Sequence, residues 1–283
     1  MNDGYVAALV ALGHQGRLSV FRLLVRRVPD WVPAGELAEA LSLKPSTLSV
    51  YVSILVRCGL IQSRREGRSI LYAVDLDSVG DLLGFLVDDC CRGRPEVLAP
   101  VKASRETEMQ TGQAGGKVFN VLFVCSGNSA RSIFAEAILE KEGKGHFNAF
   151  SAGTLPASEV NPMAISTLQS QGYDTSALRP KNVDEFVHRK SLELDFVFTV
   201  CDHAANVDCP PLPGQPVTAH WGMPDPVRVE GTVAEKALAF QQAFGSLRKR
   251  LATFISLPFA TLDRISLQSR LDDIGREAAE VAV

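Results

Sequence analysis

Residues 121–139 read VLFVCSGNSARSIFAEAIL, and this stretch decides the fold of the C-terminal half of the chain. Residues 121–124 are apolar and rich in β-forming side chains, which predicts a strand buried on both faces. Residues 132–139 carry apolar side chains at helical spacing, which predicts a helix. The short turn between them contains Gly127 and Asn128, two residue types that tolerate unusual backbone angles. A strand, a tight turn and a helix N-terminus direct several backbone N–H groups at one point, so the stretch predicts an anion site.

The same alternation continues on the C-terminal side of this stretch. HFNAFSAGT (146–154) and LDFVFTVC (194–201) predict further strands, and residues 162–172 between them predict a helix. Strands that alternate with helices are typical of a parallel sheet covered by helices on both faces. We therefore predict an α/β parallel-sheet domain.

The composition sets the broad class of the protein. The chain has 283 residues, a hydrophobic fraction of 46% and a net charge of -3, which favours about two globular domains. No segment approaches the ~18 apolar residues of a membrane span, and the first residues lack the layout of a signal peptide, so we expect a cytoplasmic protein with no membrane contact. The cysteines at 58, 90, 91, 125, 201 and 209 are scattered, which in a reducing compartment indicates chemistry or metal binding.

The predicted turn also carries the residues of a nucleophilic site. Cys125 and Arg131 bracket five residues, and Ser132 follows directly. A cysteine at a helix N-terminus beside an arginine should have a lowered pKa and be largely thiolate. The Arg131 guanidinium can bind two oxygens of an oxyanion, and Ser132 can donate to the thiolate. The predicted oxyanion loop comprises Ser126, Gly127, Asn128, Ser129, Ala130 and Arg131. The alternative is a buried cysteine at a strand end beside an ordinary surface arginine.

The N-terminal half shows a different pattern, within residues 32–74. Residues 35–41 predict a short helix, 42–45 a turn, 46–58 a second helix, and 60–74 a hairpin around Glu66-Gly67. This order is that of a winged helix-turn-helix (α+β). The second helix and the basic hairpin tip supply the side chains that we predict to contact DNA, although a charged tip can also be merely solvated. They are Ser46, Thr47, Ser49, Tyr51, Ser53, Arg64, Arg65 and Arg68.

VCSGNSARS resembles the oxyanion loop of the low-molecular-weight tyrosine phosphatase superfamily, and the resemblance covers residues 118–257. Phosphatases of this superfamily transfer a phosphoryl group to the cysteine and hydrolyse it. Its arsenate reductases bind arsenate in the same loop and then need further thiols. The resemblance implies that Cys125 is the nucleophile and that no cofactor is tightly bound.

A second motif, TVCDHAANVDCPPLPG (199–214), favours the reductase. Two thiols separated by a polar segment suit successive thiol–disulfide exchange, and the segment resembles the redox segment of thioredoxin-coupled arsenate reductases. The resemblance implies that Cys201 attacks Cys125 and releases arsenite, and that Cys209 then attacks Cys201. Seven residues separate Cys201 from Cys209, one more than in the best-known members, so thioredoxin and glutathione–glutaredoxin both stay open as reductants. The alternative is two unrelated half-buried cysteines.

AHWGMPDP (219–226) carries the third motif. In the superfamily an Asp-Pro on a loop over the site holds the general acid, which implies that Asp225 protonates the leaving oxygen. Alone, an Asp-Pro can simply start a turn. The positions that hold potassium in some reductases correspond here to Asn128, Glu136, Ser151 and Asp184, although Glu136 could equally be a solvated helix residue.

Residues 7–74 resemble the ArsR/SmtB family of repressors, which act as homodimers on operator DNA and leave it on binding metal or metalloid. The Cys-x-Cys of one branch is absent. Cys90 and Cys91, in LVDDCCRGRPEVLAP, are similar to the arsenite site of a second branch, with Val97 at the position of its third cysteine. We expect arsenite as the effector. The alternative is that both cysteines only cap a helix of the dimer.

The predicted organisation has four parts. Residues 1–97 form the winged helix-turn-helix repressor domain, 98–117 a polar, glycine-containing linker, 118–257 the arsenate reductase domain, and 258–283 a helical extension. The extension carries a predicted apolar stripe of Phe259, Leu262, Ile265 and Leu271.

The sequence thus predicts a bifunctional arsenic-resistance protein, in which an arsenite-responsive repressor is fused to an arsenate reductase. One half would produce the arsenite that the other half senses. Two alternatives stay open: a phosphatase with a DNA-binding domain, and a regulator that binds an oxyanion without turnover.

Overall fold

The computed structural model describes residues 3–92, 94, 117–189, 191–207, 212–214 and 216–277. The chain forms two compact units, Met1–Gly115 and Gly116–Val283, each with a hydrophobic core of its own. Cys209, Val97 and residues 98–116 of the predicted linker lie outside the described residues. Within the described residues, no helix combines the length and the apolar character needed to cross a membrane.

In its described residues, the N-terminal unit has five α-helices around a small antiparallel sheet of order β1-β3-β2. Its elements are α1 (Asp3–Leu12), α2 (Gln15–Arg26), β1 (Val32–Pro33), α3 (Ala34–Ala40), α4 (Pro45–Arg57), β2 (Ile61–Glu66), β3 (Ser69–Val74) and α5 (Leu76–Gly84), after which one π-helical turn (Phe85–Cys90) extends α5. The predicted helix pair and hairpin are present, with bounds shifted by one or two residues. Pro45 starts α4, where its fixed φ suits the first turn of a helix.

Helix α4 has one buried face and one exposed face. Leu48, Val52 and Leu55 are buried in the N-terminal core, and Ile54 is half-buried against it. Spacings of three and four residues place these side chains on one side of a helix. The opposite side of α4 is therefore free to face solvent.

The C-terminal unit is an α/β domain whose four-stranded sheet has the order β5-β4-β6-β7, and every pairing is parallel. Its elements are β4 (Phe119–Cys125), α6 (Arg131–Glu142), β5 (Phe147–Gly153), α7 (Pro162–Ser170), α8 (Asp184–Val187), β6 (Phe196–Thr199), α9 (Asp202–Asn206), β7 (Val217–His220), a 3-10 turn (Pro226–Arg228), α10 (Val233–Ile255) and α11 (Arg264–Glu277). The predicted parallel sheet is confirmed. The sequence pattern did not predict β7, which has only four residues.

The register brings the predicted motifs to one edge of this sheet. Cys125 pairs with Gly153, and Val124 pairs with Thr199, so the carboxyl ends of β4, β5 and β6 lie side by side. In open parallel sheets this edge is where ligands bind.

The C-terminal extension corrects one expectation. Helix α11 starts at Arg264, capped by Asp263, whose Oδ1 accepts the N–H groups of Ile265 and Ser266. Phe259 and Leu262 precede the helix, and Ile265 is 83% exposed, so the predicted stripe is wrong for these members. Leu271 is the predicted member that is buried, and it belongs to the core of the C-terminal unit together with Ile274, which the prediction did not include.

Candidate active site

The loop between β4 and α6, residues 126–130, is held from outside by a neighbouring segment. The carbonyls of Cys125, Ser126, Gly127 and Ser129 accept the N–H groups of Thr154, Leu155, Ala157 and Asn161 at 2.8–3.0 Å. Because N–H and C=O of a trans peptide point in opposite directions, these bonds turn the loop N–H groups toward the interior of the loop. A Cβ at Gly153 would lie 2.6 Å from the Ser126 carbonyl oxygen, so only glycine lets β5 approach the loop this closely.

Asn128 shapes the turn of the loop. It has φ of 45° and is fully buried, and its backbone N–H donates to Cys125 Sγ at 3.1 Å. A non-glycine residue in the left-handed region is uncommon and is tolerated best by Asn, Asp and His. The predicted oxyanion loop therefore forms around the cysteine sulfur.

Cys125 is 2% exposed, and its Sγ lies 2.9 Å from Ser132 Oγ. Burial raises the pKa of the Cys125 thiol above its ordinary value, and it outweighs the Ser132 hydrogen bond and the positive charge of Arg131, which lower the pKa. The expected lowering of this pKa is therefore wrong, because the sequence shows the favourable partners but not how completely the sulfur is removed from water.

Cys201 lies against the same loop. It is 2% exposed and caps α9, its Sγ accepts the Ala204 N–H at 3.4 Å, and the same Sγ lies 3.4 Å from Ser126 Oγ. The proximity of Cys201 also contributes to the raised pKa of Cys125. The structure thus brings the first two predicted relay cysteines to one loop.

Arg131 and Asp225 meet across the site. Arg131 is buried, with Nη2 donating to Asp225 Oδ2 at 2.7 Å and Nη1 donating to the Met223 carbonyl at 3.1 Å. The other carboxylate oxygen of Asp225 accepts the Val227 N–H at 3.1 Å. An oxyanion bound by the Arg131 guanidinium would compete with Asp225 for it, which would free the carboxyl group beside the bound anion.

A buried network extends from Asn128 away from the cysteine. Asn128 Nδ2 donates to Ser132 Oγ at 2.8 Å and to Ser151 Oγ at 2.7 Å, and Ser151 donates to Glu136 Oε2 at 2.5 Å. The Lys181 ammonium donates to both Glu136 oxygens at 3.0 and 2.9 Å, and the Lys181 backbone N–H donates to Asn128 Oδ1 at 2.7 Å. Three of the four residues predicted to hold potassium are therefore brought together.

Lys181 is the residue that the sequence analysis missed. It is 9% exposed, and its ammonium provides the positive charge opposite Glu136. Burial raises the pKa of Glu136, and the Lys181 charge and the Ser151 hydrogen bond counteract only part of this rise. Asp184, the fourth residue predicted for potassium, is exposed at the start of α8, so the ion stays a prediction.

The comparison with known proteins decides the family. The model of the family described as low molecular weight phosphotyrosine protein phosphatase matches residues 120–265, half of the chain. This chain belongs to that phosphatase family. The arsenate reductase of Halalkalibacterium halodurans is 37% identical over 134 residues, which cover 47% of this chain and 93% of the relative. The arsenate reductase of Bacillus subtilis is 33% identical over 134 residues with the same coverage.

A solved structure of an arsenate reductase from Archaeoglobus fulgidus is also similar. It is 26% identical, covers 48% of this chain and 99% of its own, and has a TM-score of 0.39. The phosphatase family match contains Cys125, Arg131, Ser132, Cys201, Cys209 and Asp225.

The residues predicted to contact DNA lie outside the phosphatase family match, on α4 and the hairpin. Ser46, Ser49 and Ser53 are exposed, whereas Thr47 and Tyr51 are half-buried. Tyr51 packs on the start of α2, with its ring centroid 5.1 Å from that of His14. Arg64, Arg65 and Arg68 are exposed at the hairpin, where the Arg64 guanidinium lies 4.5 Å from the Trp31 ring centroid and donates to Glu66 at 3.2 Å.

Cys90 and Cys91 sit at the end of the N-terminal unit's last helical segment. Cys90 is exposed and ends the π-helical turn, and Cys91 is half-buried, with its N–H donating to the Leu86 carbonyl at 3.0 Å. Neighbouring positions on a helical segment point their side chains in different directions. Both sulfurs could bind one arsenic atom only if this last turn rearranged.

Proposed function

We propose that the C-terminal unit reduces arsenate to arsenite and that the N-terminal unit is a winged helix-turn-helix repressor released from operator DNA by arsenite. The observation that carries the first part is the position of Cys201, with Sγ 3.4 Å from Ser126 of the loop that surrounds Cys125. Phosphate-ester hydrolysis needs one cysteine, whereas arsenate reduction needs a second thiol at the same place. The two curated relatives named arsenate reductase support the same choice.

The first step is nucleophilic. The Cys125 thiol releases its proton to solvent and its sulfur forms an S–As(V) bond, while one arsenate hydroxyl takes a proton from Asp225 and leaves as water. Arg131 and the loop N–H groups bind the remaining oxygens. Because Arg131 contacts Asp225 at 2.7 Å, binding of the oxyanion to Arg131 and release of Asp225 are coupled.

The next steps move electrons through sulfur. The Cys201 thiolate attacks Cys125 Sγ and forms a disulfide, and the S–As electron pair goes to arsenic, which leaves as As(III) in arsenite. Cys209 then attacks Cys201 and frees the Cys125 thiolate. External thiols then reduce the Cys201–Cys209 disulfide and are themselves oxidised to a disulfide. They belong to thioredoxin, or to glutaredoxin together with glutathione.

Arsenate-dependent NADPH consumption tests the reductase, with thioredoxin and glutaredoxin systems in parallel. We expect turnover with at least one system for the native chain, none for Cys125→Ser, and undiminished turnover for the control Cys58→Ser, because Cys58 is half-buried against the core of the N-terminal unit. Absence of arsenite with every reductant would favour an oxyanion-binding regulator without turnover.

The phosphatase alternative makes a separate prediction. If the additional cysteines only protect the nucleophile, the double variant Cys201→Ser/Cys209→Ser will hydrolyse phosphate esters over many turnovers as fast as the native chain. Under our proposal this variant forms the arsenate adduct and stops, so it yields no arsenite when no added thiol replaces Cys201.

The exposed side of α4 and the basic hairpin support DNA binding by the N-terminal unit. Their exposed hydroxyl and guanidinium groups are those that contact base edges and phosphates. Binding of a promoter fragment, measured by anisotropy at several salt concentrations, tests the proposal. Arg65→Ala and Arg68→Ala should each weaken binding and reduce the salt slope by about 1, whereas the control Arg189→Ala, in the C-terminal unit, should leave both unchanged. A native chain that shows no salt-dependent binding would contradict it.

Homodimer formation and arsenite sensing complete the proposed repressor. Val6, Val10 and Leu83 are large apolar side chains exposed on α1 and α5, and such side chains can pack against a second copy. Arsenite should release the promoter fragment from the native chain and not from Cys90→Ser/Cys91→Ser. Equal release from both proteins would show that sensing occurs elsewhere.

A further inference from the structure

The loop that carries Asp225, residues 221–225, is fixed at its start by the C-terminal helix α11. Trp221 is fully buried, its ring is stacked on Phe198 with centroids 4.0 Å apart, and its indole N–H donates to the Leu271 carbonyl at 3.0 Å. A buried N–H group needs an acceptor, and here α11 provides it. The position of Trp221 therefore depends on the position of α11.

Arg250, on α10, joins the same loop to the same helix. Its Nη1 donates to the Trp221 carbonyl at 2.6 Å, and its Nη2 donates to the Gly222 carbonyl at 3.3 Å and to the Gly275 carbonyl at 3.4 Å. The guanidinium is buried, so these bonds are shielded from water. One rigid cation thus fixes the spacing between the loop and α11.

At Gly275, α11 lies close against the end of β7. A Cβ at this position would lie 2.7 Å from the His220 carbonyl oxygen and 3.2 Å from Trp221 Cδ1. Real Cβ atoms do not approach a backbone oxygen this closely, so any side chain here would push α11 and residues 220–221 apart.

The other end of the loop reaches the oxyanion site, where the Met223 carbonyl and the Asp225 carboxylate both bind Arg131. We infer that α11 is a positioning element for the reaction, which holds residues 221–225 so that Asp225 reaches Arg131 and the leaving oxygen. Arg264–Glu277 lies almost wholly beyond the family match, which ends at residue 265. The inference rests on the proposed function for its arsenate measurement.

Gly275→Ala in the full chain tests the inference, with Gly245→Ala as a matched control. Both glycines lie inside helices and gain the same helix propensity, but a Cβ at Gly245 would have nothing within 4 Å. We expect arsenate turnover of Gly275→Ala to fall about tenfold, part of the ~10²–10⁴ that a general acid contributes. Phosphate affinity, measured as protection of Cys125 from iodoacetamide, should not fall, since the oxyanion loop is untouched and a displaced Asp225 competes less for Arg131. Gly245→Ala should match the native chain in both measurements.

Tryptophan emission gives a measurement that does not depend on arsenate. The chain has two tryptophans, so in a Trp31→Phe background the emission reports Trp221 alone. Gly275→Ala should shift this emission to the red, and Gly245→Ala should not. Should the native chain fail to reduce arsenate, the proposed function fails, and hydrolysis of p-nitrophenyl phosphate, which uses the same acid, replaces turnover in this test.

Three outcomes would overturn the inference. In the first, Gly275→Ala changes neither emission nor turnover. In the second, the emission shifts while turnover stays native, so the position of Asp225 does not depend on α11. In the third, phosphate affinity falls by the same factor as turnover, which indicates a general loss of structure instead of a displaced acid.

Discussion

The two pairs of cysteines in this chain occupy opposite environments. Cys125 and Cys201 are buried at the carboxyl edge of a parallel sheet, and both accept backbone N–H groups. Cys90 is exposed and Cys91 half-buried, one after the other at the end of a helical segment.

The difference follows from what each pair would have to bind. A tetrahedral oxyanion is recognised by fixed donors, and donors stay fixed only where the surrounding chain is packed and hydrogen-bonded. Trivalent arsenic is captured by the sulfurs themselves, so its site needs access and freedom to rearrange. The buried pair is therefore suited to chemistry and the exposed pair to sensing.

The largest expected effect is on arsenate turnover, which should depend on the buried pair of cysteines and not on the exposed pair. Cys201→Ser should lower arsenate reduction at least ~10³-fold, because the adduct on Cys125 then lacks its attacking thiol. Cys90→Ser/Cys91→Ser should keep turnover within about twofold of the native chain, since neither sulfur takes part in the relay. Arsenite formation measured for both variants checks this. A large loss of turnover in Cys90→Ser/Cys91→Ser would contradict the division of roles between the two pairs.

The next effect concerns the buried ion pair between Lys181 and Glu136. Lys181→Met leaves the buried Glu136 without its charge partner and should destabilise the C-terminal unit by about 3–5 kcal/mol at neutral pH. Denaturant unfolding followed at Trp221 in a Trp31→Phe background measures this. Lys181→Met/Glu136→Gln, which removes both charges, should recover most of the loss.

The pH dependence of this deficit has a definite sign. Burial raises the folded-state pKa of Glu136, so the contribution of this group favours folding at low pH and is lost as the pH rises through that pKa. Removing the Lys181 charge raises the pKa further. The loss of unfolding free energy caused by Lys181→Met should therefore shrink as the pH falls and Glu136 takes up a proton. A loss that grows toward low pH would contradict the raised pKa of Glu136.

A smaller effect concerns the reactivity of the buried thiol. The rate of Cys125 alkylation by iodoacetamide should rise with a midpoint above ~8.5, the value of a free thiol, whereas Cys90 should react at the rate of an exposed thiol. Ser132→Ala should move the Cys125 midpoint higher still, because the hydroxyl lowers this pKa. Peptide mapping of the alkylated chain separates the two sites. A Cys125 midpoint below that of a free thiol would contradict the raised pKa and support the lowered pKa that the sequence predicts.

Much of the fold could be predicted because local patterns agree with it. Residues 121–139 contain a buried strand, a turn and a helix whose types follow from hydrophobic spacing alone, and the helix pair and hairpin of the N-terminal unit follow in the same way. The site at the end of β4 follows because a parallel sheet gathers its carboxyl ends at one edge.

The rest depends on long-range packing. Lys181 reaches Glu136 because the Lys181 carbonyl accepts the Gly153 N–H at 2.7 Å and the Val183 N–H donates to the Gly153 carbonyl at 3.0 Å, a pairing that residues near Lys181 do not indicate. The direction of the Cys125 pKa shift depends on how much water the folded chain excludes. The role inferred for α11 depends on Gly275, which carries no side chain for a sequence pattern to register.

The depth of Cys125 also bears on survival in oxidising conditions. Peroxide oxidises cysteines according to their thiolate fraction and their accessibility, and the resting Cys125 is low in both. An exposed thiol such as Cys90 would reach the sulfenic state first. Under peroxide stress the chain would therefore lose the free thiol at the end of its N-terminal unit before it lost the cysteine of its oxyanion loop.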